Sequence, residues 1–280
     1  MHCPDGVGRR QSRNRRTDLP LQPALPAIRV LRRDRRGSSS PVVVDTTDGT
    51  YVVKLRGAAQ GTAALVAEVV VAALADVLHL PVPPRRVITL VRAQPTDDRN
   101  DELADLLVAS VGENLGFRYL PSARPLRADE LERVPLDFAA QVRWLDWLTM
   151  NSDRGPANPN ILVDGSRYWL IDHGAALPFQ HDWAAVTEAA PVRRAAPLPH
   201  VFDRLETDMR GWDPLLTAIV TRATLSEAVT LIPDSFLRPL LPAPATTDAA
   251  ERRRSAYAAF LWKRLRGPRP FAEGARGRAG

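Results

Sequence analysis

Cys3 is the only cysteine in this chain, so no internal disulfide can form, and the sequence predicts a reducing, cytoplasmic setting. Long apolar runs are missing too. The longest, Ala63 to Ala75, is interrupted by Glu68 and is too short to cross a bilayer, while Leu19 to Ala27 is broken by prolines. No secretory or membrane segment is expected. There is no Cys/His cluster of zinc-site spacing, no strand–turn–helix nucleophile elbow and no internal repeat. Structural zinc modules, elbow-type hydrolases and solenoids are thereby set aside. What remains is a chain of 280 residues, 45% hydrophobic, with room for one two-lobed domain or two small ones and enough apolar side chains for a sizeable core.

Lysine is almost as scarce as cysteine. Lys54 and Lys263 stand against thirty-six arginines, as if arginine had taken every place where either cation would serve. Lys54 lies in Tyr51-Val-Val-Lys-Leu55, a β-branched run with the character of a buried strand, where a compact ammonium needs a specific partner. Glu68 is a matching anomaly inside the Ala- and Val-rich segment Gly61 to Leu78, which is expected to be a helix buried on most sides. An unpaired buried carboxylate costs several kcal/mol, so Glu68 either pairs with Lys54 or reaches solvent along an exposed stripe.

The net charge of +6 comes largely from arginines crowded at the two ends, a pattern of solvated tails, so nucleic acid is not the expected partner. Residues 1–25 are predicted to be a disordered basic tail and 266–280 a second disordered tail. Between them, 26–120 and 121–265 are expected to form two lobes. Strands are expected at Ile28 to Leu31, Val42 to Val44 and Tyr51 to Leu55 as an antiparallel meander, with a fourth at Val87 to Val91. Gly112 to Pro121 suits either a hinge between lobes or a loop over the nucleotide. Later helices are expected at Trp183 to Ala190, Leu215 to Ala223, Leu225 to Leu231 and Ala249 to Arg264.

The most informative stretch is Leu145 to Gly174. Phe138, Val142, Leu145, Trp147, Leu148 and Met150 recur at helical spacing, and a helix is expected to end near Asn151 ahead of Pro156 and Pro159. Ile161 to Val163 and Tyr168 to Ile171 flank Asp164-Gly165, a strong hairpin signal. Antiparallel return brings Asp172 beside Asn160 and near the loop that carries Asp153. Magnesium takes oxygen ligands and retains some of its waters, so one or two such groups plus phosphate oxygens suffice to hold it. In phosphoryl transfer a loop aspartate takes the hydroxyl proton, while a loop asparagine and a later aspartate hold metal; Asp153, Asn160 and Asp172 fit in that order. The alternative is that Asp153 caps a turn and Asp172 merely ends a strand. His173, beside them, suits a structural or a catalytic part equally.

Taken in order and spacing, Tyr51-Val-Val-Lys54-Leu-Arg-Gly57 with the Glu68 helix, Asn151-Ser-Asp153-Arg154 to Asn160-Ile-Leu162, and Ile171-Asp172-His-Gly174 resemble the HipA-like kinases, particularly their short stand-alone branch. The resemblance implies an α+β, two-lobed kinase-like fold. Its N-lobe would be an antiparallel sheet plus one helix, and its C-lobe mainly helical with a catalytic hairpin. It implies ATP and Mg²⁺ as cofactors, Lys54 on the phosphates oriented by Glu68, Asp153 as base, and Asn160 and Asp172 on metal. Template spacing selects Asn158 instead of Asn160, whereas strand register favours Asn160. No Gly-x-Gly-x-x-Gly loop is present. Gly37, Ser38, Ser39 and Ser40 take its place over the phosphates, where the resemblance also implies self-phosphorylation. The expected activity is phosphoryl transfer from ATP to a hydroxyl, with a protein serine or threonine as acceptor. The alternatives are a small-molecule kinase and a nucleotide-binding pseudokinase that serves as an interaction module.

Overall fold

The computed structural model describes residues 23–33, 41–98, 100–192 and 199–271. The predicted phosphate loop, Gly37 to Ser40, lies outside the described residues, as do residues 1–22 of the predicted basic tail.

The N-terminal half builds a six-stranded sheet from β1 (Leu25–Pro26), β2 (Arg29–Arg33), β3 (Val42–Thr46), β4 (Gly49–Lys54), β5 (Arg85–Leu90) and β6 (Gly112–Arg118), in the order β1-β5-β6-β4-β3-β2. β2, β3 and β4 form the expected meander, each β-branched and paired antiparallel with its successor. The Asp48-Gly49 turn is closed by Thr46, whose hydroxyl donates to Gly49 O at 2.8 Å, and Gly49 takes a φ of +107° that suits its missing Cβ. The antiparallel pattern breaks at one edge, where β1 pairs with β5 in parallel, so Leu25 belongs to the sheet and not to the predicted tail.

β6 corrects the expectation for Gly112 to Pro121. That segment is neither a free hinge nor a covering loop over most of its length, because it is inserted between β5 and β4 with Leu115 opposite both Val87 and Lys54. Gly116 permits the insertion: a Cβ there would stand 2.6 Å from Ile88 Cγ1. One sheet face packs Val44, Tyr51, Val53 and Ile88 against Leu103 and Leu107 of α2 (Asp101–Ala109), a helix capped by Asn100. On the other side, α1 (Gly61–Val77) joins Leu115 and Phe117 to the apolar core of the C-terminal half. A helix apolar on all faces is stable only when enclosed, and α1 is enclosed by the sheet and by later helices.

The C-terminal half is mainly helical. α3 (Leu136–Thr149), α4 (Met209–Ile219), α5 (Arg222–Thr230), the single-turn α6 (Asp234–Leu237) and α7 (Thr247–Arg266) surround a small sheet of β7 (Arg124–Pro125), β8 (Ile161–Asp164) and β9 (Arg167–Leu170). Three local expectations need correction. Leu215 to Ala223 is not one helix: Val220 closes α4, and Thr221 opens α5 with a hydroxyl that accepts from Thr224 N at 3.2 Å. Trp183 to Ala190 holds only a short 3₁₀ turn, since Asp182 caps Ala185 and the Trp183 ring is pinned edge-on to Phe179 and Tyr257. Packing also continues past Leu265, because Arg269 pairs with Asp213 at 3.3 Å and Phe271 sits edge-on to Trp147. No helix among the described residues is long and apolar enough to cross a membrane.

Candidate active site

Lys54 closes β4 at the buried end of the strand, one turn of chain before α1 begins. Its ammonium bonds Glu68 Oε1 and, at 2.5 Å, Asp172 Oδ1. Strand, helix and post-hairpin segment therefore meet on one cation. Glu68 is 0% exposed, and its Oε1 also accepts the His173 amide at 2.7 Å. Burial opposes charge on Lys54, but Glu68 and Asp172 outweigh it and hold the ammonium pKa above its ordinary value. Burial likewise pushes the Glu68 carboxyl up, against the pull of Lys54. Glu68 Oε2 has no hydrogen-bond partner among the described residues, and the Asp172 side chain is 25% exposed, so this cluster is open on one side.

Asp153 lies in the loop between α3 and β8. α3 ends in a Schellman-type closure: Asn151 N donates to Asp146 O at 2.9 Å and Met150 takes a left-handed φ of +56°. The cap, not the downstream prolines, stops the helix. Asn151 Oδ1 then accepts from Asp153 N at 3.2 Å, starting the loop with an Asx turn. Both candidate asparagines reach the Asp153 carboxylate: Asn160 Nδ2 donates to Oδ2 at 3.1 Å and Asn158 Nδ2 to the same oxygen at 3.2 Å. They differ in burial, Asn160 being buried and also donating to Asp153 O at 2.8 Å, whereas Asn158 is exposed. The β8–β9 hairpin is as expected, with Asp164 opposite Arg167 and Gly165 at φ +60°. Ile171 N donates to Asn160 O at 3.1 Å, which holds the Asn160 and Asp172 ends of the hairpin together. Both residues adopt left-handed φ, +50° and +56°. For non-glycine residues this is uncommon, and such strain concentrates where side-chain direction matters.

Beneath the loop lies a second charged cluster. Arg154, 1% exposed, donates from Nε to Asp146 Oδ2 at 2.7 Å, from Nη1 to Asn160 O at 2.6 Å, and from Nη2 toward His173 Nδ1 at 3.2 Å. His200 Nε2 and Asn151 Nδ2 complete the Asp146 carboxylate at 3.0 and 2.9 Å. Asp146 is buried, which would raise its pKa, yet Arg154 and His200 hold it down to about 2. His173 is driven well below the ordinary histidine value by burial and by Arg154, so it is neutral and serves as an acceptor. His173 Nε2 has no hydrogen-bond partner among the described residues. Asp146 carried a signal of the same kind as Glu68, a charge on the apolar face of a helix. His200 carried none, because only tertiary packing sets it against α3.

The structure thus gathers Lys54, Glu68 and Asp172 in one cluster, and Asp153, Asn158 and Asn160 in another. The link between them runs through Asn160, Ile171 and Arg154. The donor set of the two clusters is entirely oxygen and nitrogen of the kind that binds phosphate and a hard cation, with Asn160 Oδ1 and Asp172 Oδ2 making no hydrogen bond to a described residue. Magnesium fits these oxygens.

The family model described as HipA-like kinase matches residues 27–210, well over half of the chain and both charged clusters. This protein belongs to the HipA-like kinase family and is a phosphotransferase. Among solved structures it is similar to the Helicobacter pylori proinflammatory kinase CtkA, at 10% sequence identity and a TM-score of 0.49, over 87% of this chain and 98% of that one. No curated protein matches in sequence.

Proposed function

We propose that the chain transfers the γ-phosphoryl group of ATP to a serine or threonine hydroxyl of a protein, with Asp153 as the base. The observation that carries this is the pairing of Lys54 with both Glu68 and Asp172, which assembles strand, helix and hairpin around one ammonium. Glu68 orients Lys54, and Lys54 directs its remaining donor capacity to the nucleotide phosphates. Asp153 takes the proton from the attacking hydroxyl, held in position by the amides of Asn158 and Asn160. Asn160 and Asp172 would hold magnesium, which when bound neutralises phosphate charge. Asn160 is the better candidate of the two asparagines, since its amide nitrogen is committed to Asp153 while its carbonyl oxygen is unengaged. The buried Arg154 cluster keeps Asp153, Asn160 and His173 in register.

Single-turnover transfer from γ-labelled ATP and magnesium to a panel of serine- and threonine-bearing proteins tests the proposal. Asp153→Ala is expected to slow transfer by about 10²–10⁴-fold. Transfer at the wild-type rate would remove Asp153 as base, and labelling of small alcohols in place of proteins would remove the acceptor class.

A further inference from the structure

A cavity separate from the crevice at Lys54 opens beside the start of α1. It has a volume of about 800 Å³ and lies where the first turn of α1 faces the segment after His173 and the start of α7. Neither Lys54, Asp153, Asn160 nor Asp172 lines it. It adjoins the transfer site through Gln60 and Gly61, which also line the narrow crevice containing Lys54 and Gly174.

Its chemistry is one-sided. Arg56 and Arg253 both line it, and Arg253 makes no hydrogen bond or ion pair with a described residue, its only contact of this kind being with the Trp183 ring 4.6 Å away. Arg253 Nη1 is a buried donor without a partner. So is the hydroxyl of Thr62, a buried residue in the same wall. Buried polar groups in native proteins are otherwise nearly always satisfied, and both of these donors belong to residues that line one cavity. The N-terminus of α1 adds to this. No side chain caps it and no acidic residue stands in its first turn; of its first-turn amides, Gly61 N is bonded to Ala58 O at 2.8 Å. The acidic member of the wall, Asp182, already accepts from Ala185 N at 3.1 Å. Beside Arg253, Trp183 and Leu240 to Pro242 add apolar surface to the lining.

We infer that this cavity binds a small phosphate monoester, its phosphate on Arg253, Arg56 and the first turn of α1, and its organic part against Trp183 and Leu240. The volume suits a small molecule, not an extended macromolecular surface. Binding itself does not depend on the proposed mechanism. Its consequence does: α1 carries Glu68, so a ligand that holds the first turn also holds the partner of Lys54, and occupancy is expected to raise the transfer rate.

Calorimetric titration of the full chain with phenyl phosphate, inorganic phosphate and phenol provides the test. Phenyl phosphate is expected to bind more tightly than inorganic phosphate, and phenol not at all. Arg253→Gln should weaken phenyl phosphate by about ten- to hundredfold, the effect of losing a charged hydrogen bond, and leave ATP binding unchanged. Thr62→Val gives a second check, since it removes an unpartnered hydroxyl: thermal stability should hold or rise while phenyl phosphate binding weakens. The Lys54→Met protein should bind phenyl phosphate as wild type does. Absence of binding, equal affinity for phenyl phosphate and inorganic phosphate, indifference to both cavity substitutions, or loss of binding in Lys54→Met would each overturn the inference. Only the last of these would place the probe in the transfer cleft.

Discussion

The two buried charge clusters use the same residue types to opposite ends. In the Arg154 cluster every nitrogen of the guanidinium faces an acceptor and both oxygens of Asp146 are engaged, so the ion pair itself keeps no free group. In the Lys54 cluster one ammonium serves two carboxylates, Glu68 Oε2 is unpartnered and Asp172 is partly open to solvent. A satisfied network rigidifies, whereas an under-satisfied one at a cleft retains capacity for something that arrives later.

Breaking the satisfied cluster should have the largest effect on stability. Asp146→Asn leaves Arg154 buried without a counter-charge and is expected to cost about 3–5 kcal/mol, read from urea unfolding. A loss below about 1 kcal/mol would mean that solvent already screens the pair. The open cluster should respond in rate instead. Lys54→Met is expected to slow transfer by about 10²–10³-fold, the usual cost of removing one preorganised donor from a developing charge. The chain should stay folded, because a methionine packs where the lysine stem lay, but melt lower than wild type, because the buried Glu68 loses its cation. A rate near wild type would show that Lys54 does not meet the phosphates.

A smaller effect sharpens the same contrast. Lys54→Met strands Glu68, so adding Glu68→Gln should recover stability, whereas Glu68→Gln alone should lose some; the coupling expected from a double-mutant cycle is about 1–2 kcal/mol. Additive free energies would mean that the two side chains do not interact. The mildest test is pH. His173 is depressed below its ordinary value of 6.5, so the unfolded chain takes up a proton first and stability falls as pH drops below that value. Asp146 adds a second, lower step, its contribution present above 3.8 and lost as pH falls toward about 2. His173→Gln, which keeps an acceptor for Arg154, should abolish the upper step and leave the lower one. An unchanged profile would assign the upper step to another group.

Much of the fold was legible because it is written in local pattern. The β2–β4 meander, α1, β5, the β8–β9 hairpin and α7 each follow from periodicity, β-branching or an Asp-Gly turn. Gly112 to Arg118 was misjudged because its two glycines resemble a loop, when one of them is there to let β6 fit between neighbours. Leu215 to Ala223 was misjudged because helical propensity continues across a cap that depends on the hydroxyls of Thr221 and Thr224.

By itself the sequence determined which residues are chemically out of place: a retained lysine in a strand, a carboxylate in an apolar helix, and aspartates and asparagines around a hairpin. Local anomalies are visible without coordinates, since an unpaired charge in an apolar element is costly wherever that element lies. The tertiary structure alone decided who meets whom. It gave both Asn158 and Asn160 to Asp153, set His200 on Asp146 from 54 residues away, and opened a cavity where the start of α1 faces Arg253 of α7. Those contacts depend on how whole elements pack against one another, and packing between distant segments leaves no period or spacing in the chain for a sequence to display.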